Sequence, residues 1–94
     1  MTNQYRWEGN VESVDVEGDW LIMHPETMTI TKLEDVAAYI WSKLKNPATA
    51  TEVVDAVLSE FAVSRDVAEP EVEKFLSELM QIGLLEVVDA HMAL

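Results

Sequence analysis

Between Val11 and Lys32 the chain alternates apolar and polar side chains over short stretches broken by turn residues. Val11 to Val16 shows the alternation first, and Glu17-Gly18-Asp19 then supplies a glycine turn. Trp20 to Met23 is a short apolar run, closed by His24-Pro25-Glu26. Thr27-Met28-Thr29-Ile30-Thr31-Lys32 alternates again and is rich in β-branched residues. Period-two alternation between turn signals predicts strands, here an antiparallel three-stranded meander. Tyr5-Arg6-Trp7 fits either an extra N-terminal strand or a cover over one face of that sheet.

The period changes at Leu33. Leu33, Val36, Ala37, Ile40, Trp41 and Leu44 recur at offsets of three and four, the stripe of an amphipathic helix. Asn46-Pro47 stops it, because the residue before proline is pushed out of helical angles. Thr49 and Glu52 match a capping box, so a second helix follows that buries Val53, Val54, Val57, Leu58 and Phe61. Ser64 or Asp66 is placed to cap a third helical region. Proline deep inside a helix removes a hydrogen bond and clashes with the preceding turn. The expectation is therefore a short turn over Arg65 to Ala68, then the main helix from Glu69 with Pro70 at its first position. That helix presents Val72, Phe75, Leu76, Leu79 and Met80, and Gly83 ends it. Leu84 to Val88 can form a last short strand.

Strands followed by three helices make an α+β domain, and two helices joined by a short turn give it a winged helix-turn-helix topology. Ninety-four residues suit one domain over 1–94, with 1–10 and 89–94 expected to be flexible.

Charge narrows the function. Eighteen acidic residues against six scattered basic ones leave a net charge of -12. Nucleic-acid and anionic-membrane binding both draw on clustered Lys and Arg, so neither partner is expected. A basic or neutral peptide remains compatible. The chain lacks cysteine, which removes disulfides and thiolate chemistry. Met1 to Asn10 has no apolar core of a secretory signal, and a cytoplasmic location is expected. The two histidines, His24 and His91, fall in a turn and near the C-terminus, short of the three or four ligands a metal site needs. No phosphate-binding glycine loop or nucleophile elbow occurs, and the many carboxylates read as solvated helix faces. No enzyme, cofactor or metal is expected. An open strand edge beside a helix can instead take an extended peptide as an added strand.

One set of residues goes further. Leu33, Ile40-Trp41, Thr49, Phe75-Leu76 and Gly83-Leu84, in this order and spacing, resemble the PqqD family, also called RiPP recognition elements. The resemblance spans roughly Asp15 to Val88. The stretch Phe61 to Ala68 with Val72 and Phe75-Leu76 looks most like the stand-alone recognition proteins of lasso-peptide pathways. It implies a non-catalytic protein that holds the leader of a ribosomally made precursor peptide. The leader would then pass to a leader peptidase or to a radical-SAM or cyclase tailoring enzyme. The leader would add as a strand to Thr27, Met28, Thr29, Ile30, Thr31 and Lys32 and lie against Val72, Phe75, Leu76 and Leu79. Glu34 stands where the family has Asn, so it either caps the following helix or favours a basic leader residue. The alternative is a winged-helix interaction module in a transcription complex, without DNA contact. A free edge permits either a monomer or an edge-paired dimer.

Overall fold

The computed structural model describes residues 3–89. The elements run β1 (Asn3–Trp7), β2 (Glu12–Val16), β3 (Asp19–His24), β4 (Thr29–Leu33), α1 (Asp35–Lys43), β5 (Ala48–Thr49), α2 (Ala50–Glu60), α3 (Arg65–Gln81) and β6 (Leu85–Asp89). The architecture is α+β: one antiparallel sheet in the order β2-β3-β4, three helices, and a second small sheet in the order β5-β1-β6.

The expected meander is present, with its last strand displaced. Thr27 and Met28 belong to the turn, and β4 runs from Thr29 to Leu33. Met28 is the residue that reverses the chain, at φ 58°, with its N–H donating to the His24 carbonyl. Leu33 is consequently the buried end of a strand, and α1 starts at Asp35.

The β2–β3 turn sets the orientation of every backbone group in this sheet. Glu17 and Gly18 both have positive φ (56° and 94°), the signature of a two-residue type I′ turn. The flanking pair Val16–Asp19 then exchanges both hydrogen bonds, and bonded pairs recur at every second residue. Asp19, Leu21 and Met23 direct their backbone groups to β2, leaving those of Trp20, Ile22 and His24 for β4. Their partners on β4 are Leu33, Thr31 and Thr29. By elimination, Ile30 and Lys32 aim N–H and C=O away from the sheet.

Tyr5 and Trp7 lie in a true strand, the first of the two readings open to them. β1 pairs with β5 on one side and with β6 along its length on the other, from Asn3↔Asp89 to Trp7↔Leu85. Asp89, expected in a flexible tail, closes that ladder; residues 90–94, expected to fray, lie outside the described residues. Trp7 holds the two sheets together. Its ring stacks on Trp41 at 5.0 Å and meets Trp20 edge-on at 5.4 Å, while its Nε1 donates to the Trp41 carbonyl at 2.9 Å. Trp41 is fully buried and donates its own Nε1 to Ser13 Oγ. Such a partner is what a buried indole requires.

The capping box of α2 is complete: Thr49 Oγ1 accepts from Glu52 N–H, and Glu52 Oε1 accepts from Thr49 N–H. At the far end of α3, Gly83 N–H donates to Met80 and Leu84 N–H to Leu79, a Schellman closure with Gly83 at φ 82°. The start of α3 departs from expectation. It is one continuous 17-residue helix that begins at Arg65 and runs through Pro70, with Ser64 as an N-cap whose side chain makes no capping bond. The reason is packing. Ala68 is buried in the same core cluster as Val72, Leu76 and Leu79, and it reaches that core only if the helix begins before the proline.

Candidate functional site: a strand edge beside an acidic, apolar helix face

β4 is the last strand of its sheet, and among the described residues nothing pairs with its outer edge. On that edge the free backbone groups are those of Ile30 and Lys32, two residues apart, the spacing an added strand requires. Ile30 is 67% exposed. Lys32 Nζ lies 3.0 Å from Glu34 Oε2 and 4.0 Å from Asp19 Oδ2. The hydrogen bond to Glu34, then the charges of Glu34 and Asp19, hold the Lys32 ammonium above its usual pKa. Glu34 occupies the N-cap position of α1 but makes no side-chain capping bond, so its carboxylate serves Lys32 instead.

Two contacts place α3 along this edge. The His24 ring packs against Gly83, where an added Cβ would come within 3.0 Å of Nε2, and His24 pairs with Thr29. The beginning of β4 therefore lies near the end of α3. At the other end, Val36, just beyond β4, shares a cavity with Val67, Ala68, Glu71, Val72 and Phe75 of α3. Strand and helix thus run in opposite directions beside each other. The cavity has a volume of about 300 Å³ and is walled on its other sides by α1 and α2.

Expected contact residues divide between surface and core. Thr29, Ile30, Thr31 and Lys32 are on β4, with Thr27 and Met28 in the turn before it. Phe75 is half-buried and lines the cavity. Val72 contributes only to its wall, at 2% exposure. Leu76 and Leu79 are also 2% exposed and sit in the core, offering a ligand almost no surface.

The helix face that does look outward here was missed. At about 100° per residue, Val67, Glu71, Phe75, Glu78 and Ile82 fall on one stripe beside the buried row of Ala68, Val72, Leu76 and Leu79. Val67 is 56% exposed and Ile82 55%. Helical spacing carries this signal in full, but a break placed ahead of Pro70 removed Val67 from the helix and hid the stripe. The opposite face of the β2-β3-β4 sheet also exposes apolar side chains, including Val14, Leu21, Met23 and Ile30. Among the described residues there is no cluster of metal-ligand type, and no helix is long and apolar enough to cross a membrane.

An open strand edge, with an apolar cavity among α1, α2 and α3 beside it, defines a peptide-binding class of small domain. Residues 19–85 match the family model of coenzyme PQQ synthesis protein D, and this chain belongs to that PqqD family. Its fold is similar to the structure of TbiB1 in complex with the TbiA(beta) leader peptide. The two share 31% sequence identity at a TM-score of 0.82, over 86% of this chain and 94% of that one. A lasso peptide synthetase B1 complexed with its leader peptide is similar in fold, with TM-score 0.77 at 20% identity over 87% of this chain and 96% of that one. No curated protein matches the sequence.

Proposed function

We propose that this protein is a non-catalytic recognition element that binds the leader of a ribosomally made precursor peptide by strand addition at β4. It presents that leader to a separate tailoring enzyme, a leader peptidase or a radical-SAM or cyclase enzyme, in the cytoplasm. The observation that carries the reading is the pair of outward backbone groups on Ile30 and Lys32, on an edge flanked by the α1–α2–α3 cavity. Backbone pairing gives such a site register and affinity, and the cavity selects the side chains. The TbiB1 structure, with its bound leader peptide, supports the same occupant. The exposed apolar sheet face supports a protein partner besides the peptide.

In this reading β2–β4 are the wing and α2–α3 the helix pair of a winged helix-turn-helix. The helix that would enter a DNA groove carries Asp66, Glu69, Glu71, Glu73 and Glu78, which phosphates repel. A transcription-complex module is not favoured by the structural neighbours, both of which hold leader peptides.

Amide hydrogen exchange tests the mode of binding directly. In the free protein the Ile30 and Lys32 amides exchange readily, whereas that of Thr31 is protected by its bond to Ile22. Adding the synthetic leader encoded by the neighbouring precursor gene protects Ile30 and Lys32. Saturating leader with no new protection at these two amides would refute strand addition at β4.

A further inference from the structure

The groove-side stripe of α3 is a ladder of alternating character: Val67, Glu71, Phe75, Glu78, Ile82. Among the described residues Glu71 is the only charged one in the cavity wall, and the other lining groups are apolar. Two of the cations flanking the groove are already engaged. Lys32 pairs with Glu34 and Asp19, and Arg65 pairs with Asp55 of α2. Lys74 stands about 60° around the helix from Glu71, about 40° from Glu78 and about 100° from Phe75, and it makes no ion pair with either carboxylate among the described residues. The groove therefore offers apolar surface interrupted by two carboxylates without ion-pair partners among the described residues, in a chain of net charge -12.

From this pattern we infer that the groove reads charge as well as shape: its peptide carries Lys or Arg beside the apolar residue that fills the cavity, and those cations meet Glu71 and Glu78. The inference rests on the leader-binding reading above and names the chemistry of the leader. An added strand directs alternate side chains to one face, so residues two apart in the peptide both look toward α3. An apolar residue over Phe75 thus brings its neighbours of the same face over Glu71 and Glu78. The acidic field also speeds encounter with a basic peptide and repels acidic ones. Glu34, whose carboxylate is taken up by Lys32, is not one of the reading residues.

Isothermal titration of the full chain against two synthetic peptides tests this. One is the leader encoded beside the gene, and the other has every Lys and Arg replaced by Gln. The natural leader is expected to bind roughly tenfold more tightly at about 0.05 M salt and to lose most of that margin near 0.5 M. The double variant Glu71→Gln with Glu78→Gln is expected to bind both peptides alike, at the weaker level. A control, Glu69→Gln with Glu73→Gln, removes the same net charge from the other side of α3 and is expected to keep most of the preference. All four positions are exposed, so the melting temperatures of the variants stay near that of the parent. Equal, salt-independent binding of both peptides to the parent overturns the inference while leaving leader binding intact. Equal loss in the control pair overturns it as well, since bulk charge would then suffice. If neither peptide binds at all, the leader-binding reading itself falls.

Discussion

Two proline substitutions at adjacent residues of β4 are expected to have opposite consequences. Ile30 directs its N–H to the open edge, and Thr31 directs its own to Ile22 on β3. In Ile30→Pro the sheet keeps its ladder, because the deleted donor faced solvent. The lost side-chain burial is also small, as Ile30 is 67% exposed. Stability should change by less than about 1 kcal/mol. Binding is another matter. A leader carbonyl that expected this donor is left unsatisfied, and the proline ring occupies its place. At about 1–3 kcal/mol for such a group, affinity falls roughly 5- to 150-fold. In Thr31→Pro the bond lost is internal, to a residue with no solvent exposure. The cost is about 2–4 kcal/mol, or a melting temperature lower by roughly 10–30 °C for a domain of this size. Circular dichroism melts followed by isothermal titration of the folded variants separate the two effects. Ile30→Ala serves as the control that removes the side chain and keeps the amide. If Ile30→Pro melts like the parent and binds the leader equally well, the edge is not used. If both prolines cost the same stability, the assignment of inward and outward amides is wrong.

Two further predictions concern backbone positions that the fold holds at a cost. Glu17 sits at φ 56° in the type I′ turn where Asn-Gly is preferred, so Glu17→Asn should stabilise the protein by about 0.5–1 kcal/mol, read as a higher urea midpoint with unchanged slope. Pro70 is exposed inside α3 and leaves the Asp66 carbonyl without its helical donor, so Pro70→Ala should stabilise by about 2 kcal/mol after allowing for the freer unfolded chain. A lower melting temperature in that variant would mean that the proline relieves a strain the helix otherwise carries.

Pro70 also shows where local rules lose to packing. A proline at the sixth position of a helix violates the local preference, yet Ala68 must join Val72, Leu76 and Leu79 in the core. Burying that row outweighs one missing bond at an exposed site. The displaced β4 has a similar cause. Thr27 is as good a strand former as Thr29, but the hairpin needs four residues, Pro25 to Met28, to turn back from His24. The second sheet was illegible for a different reason. β1, β5 and β6 meet from the two ends and the middle of the chain, and no short-range pattern announces such pairings.

Local chemistry was sufficient for much of the rest. The first hairpin, the Thr49–Glu52 box with the helix it starts, and the Gly83 stop each depend on residues a few positions apart, and each appears where the sequence places it. The excess of acid is likewise a property of composition alone. What only tertiary structure decided is which edge stays open, which amides face outward, and which side of α3 lies beside them. Those follow from the turn parity at Glu17-Gly18 and from long-range packing of Trp7, Trp41 and His24. A binding groove is a relation between elements, and free backbone groups become a site only when the rest of the fold leaves them uncovered.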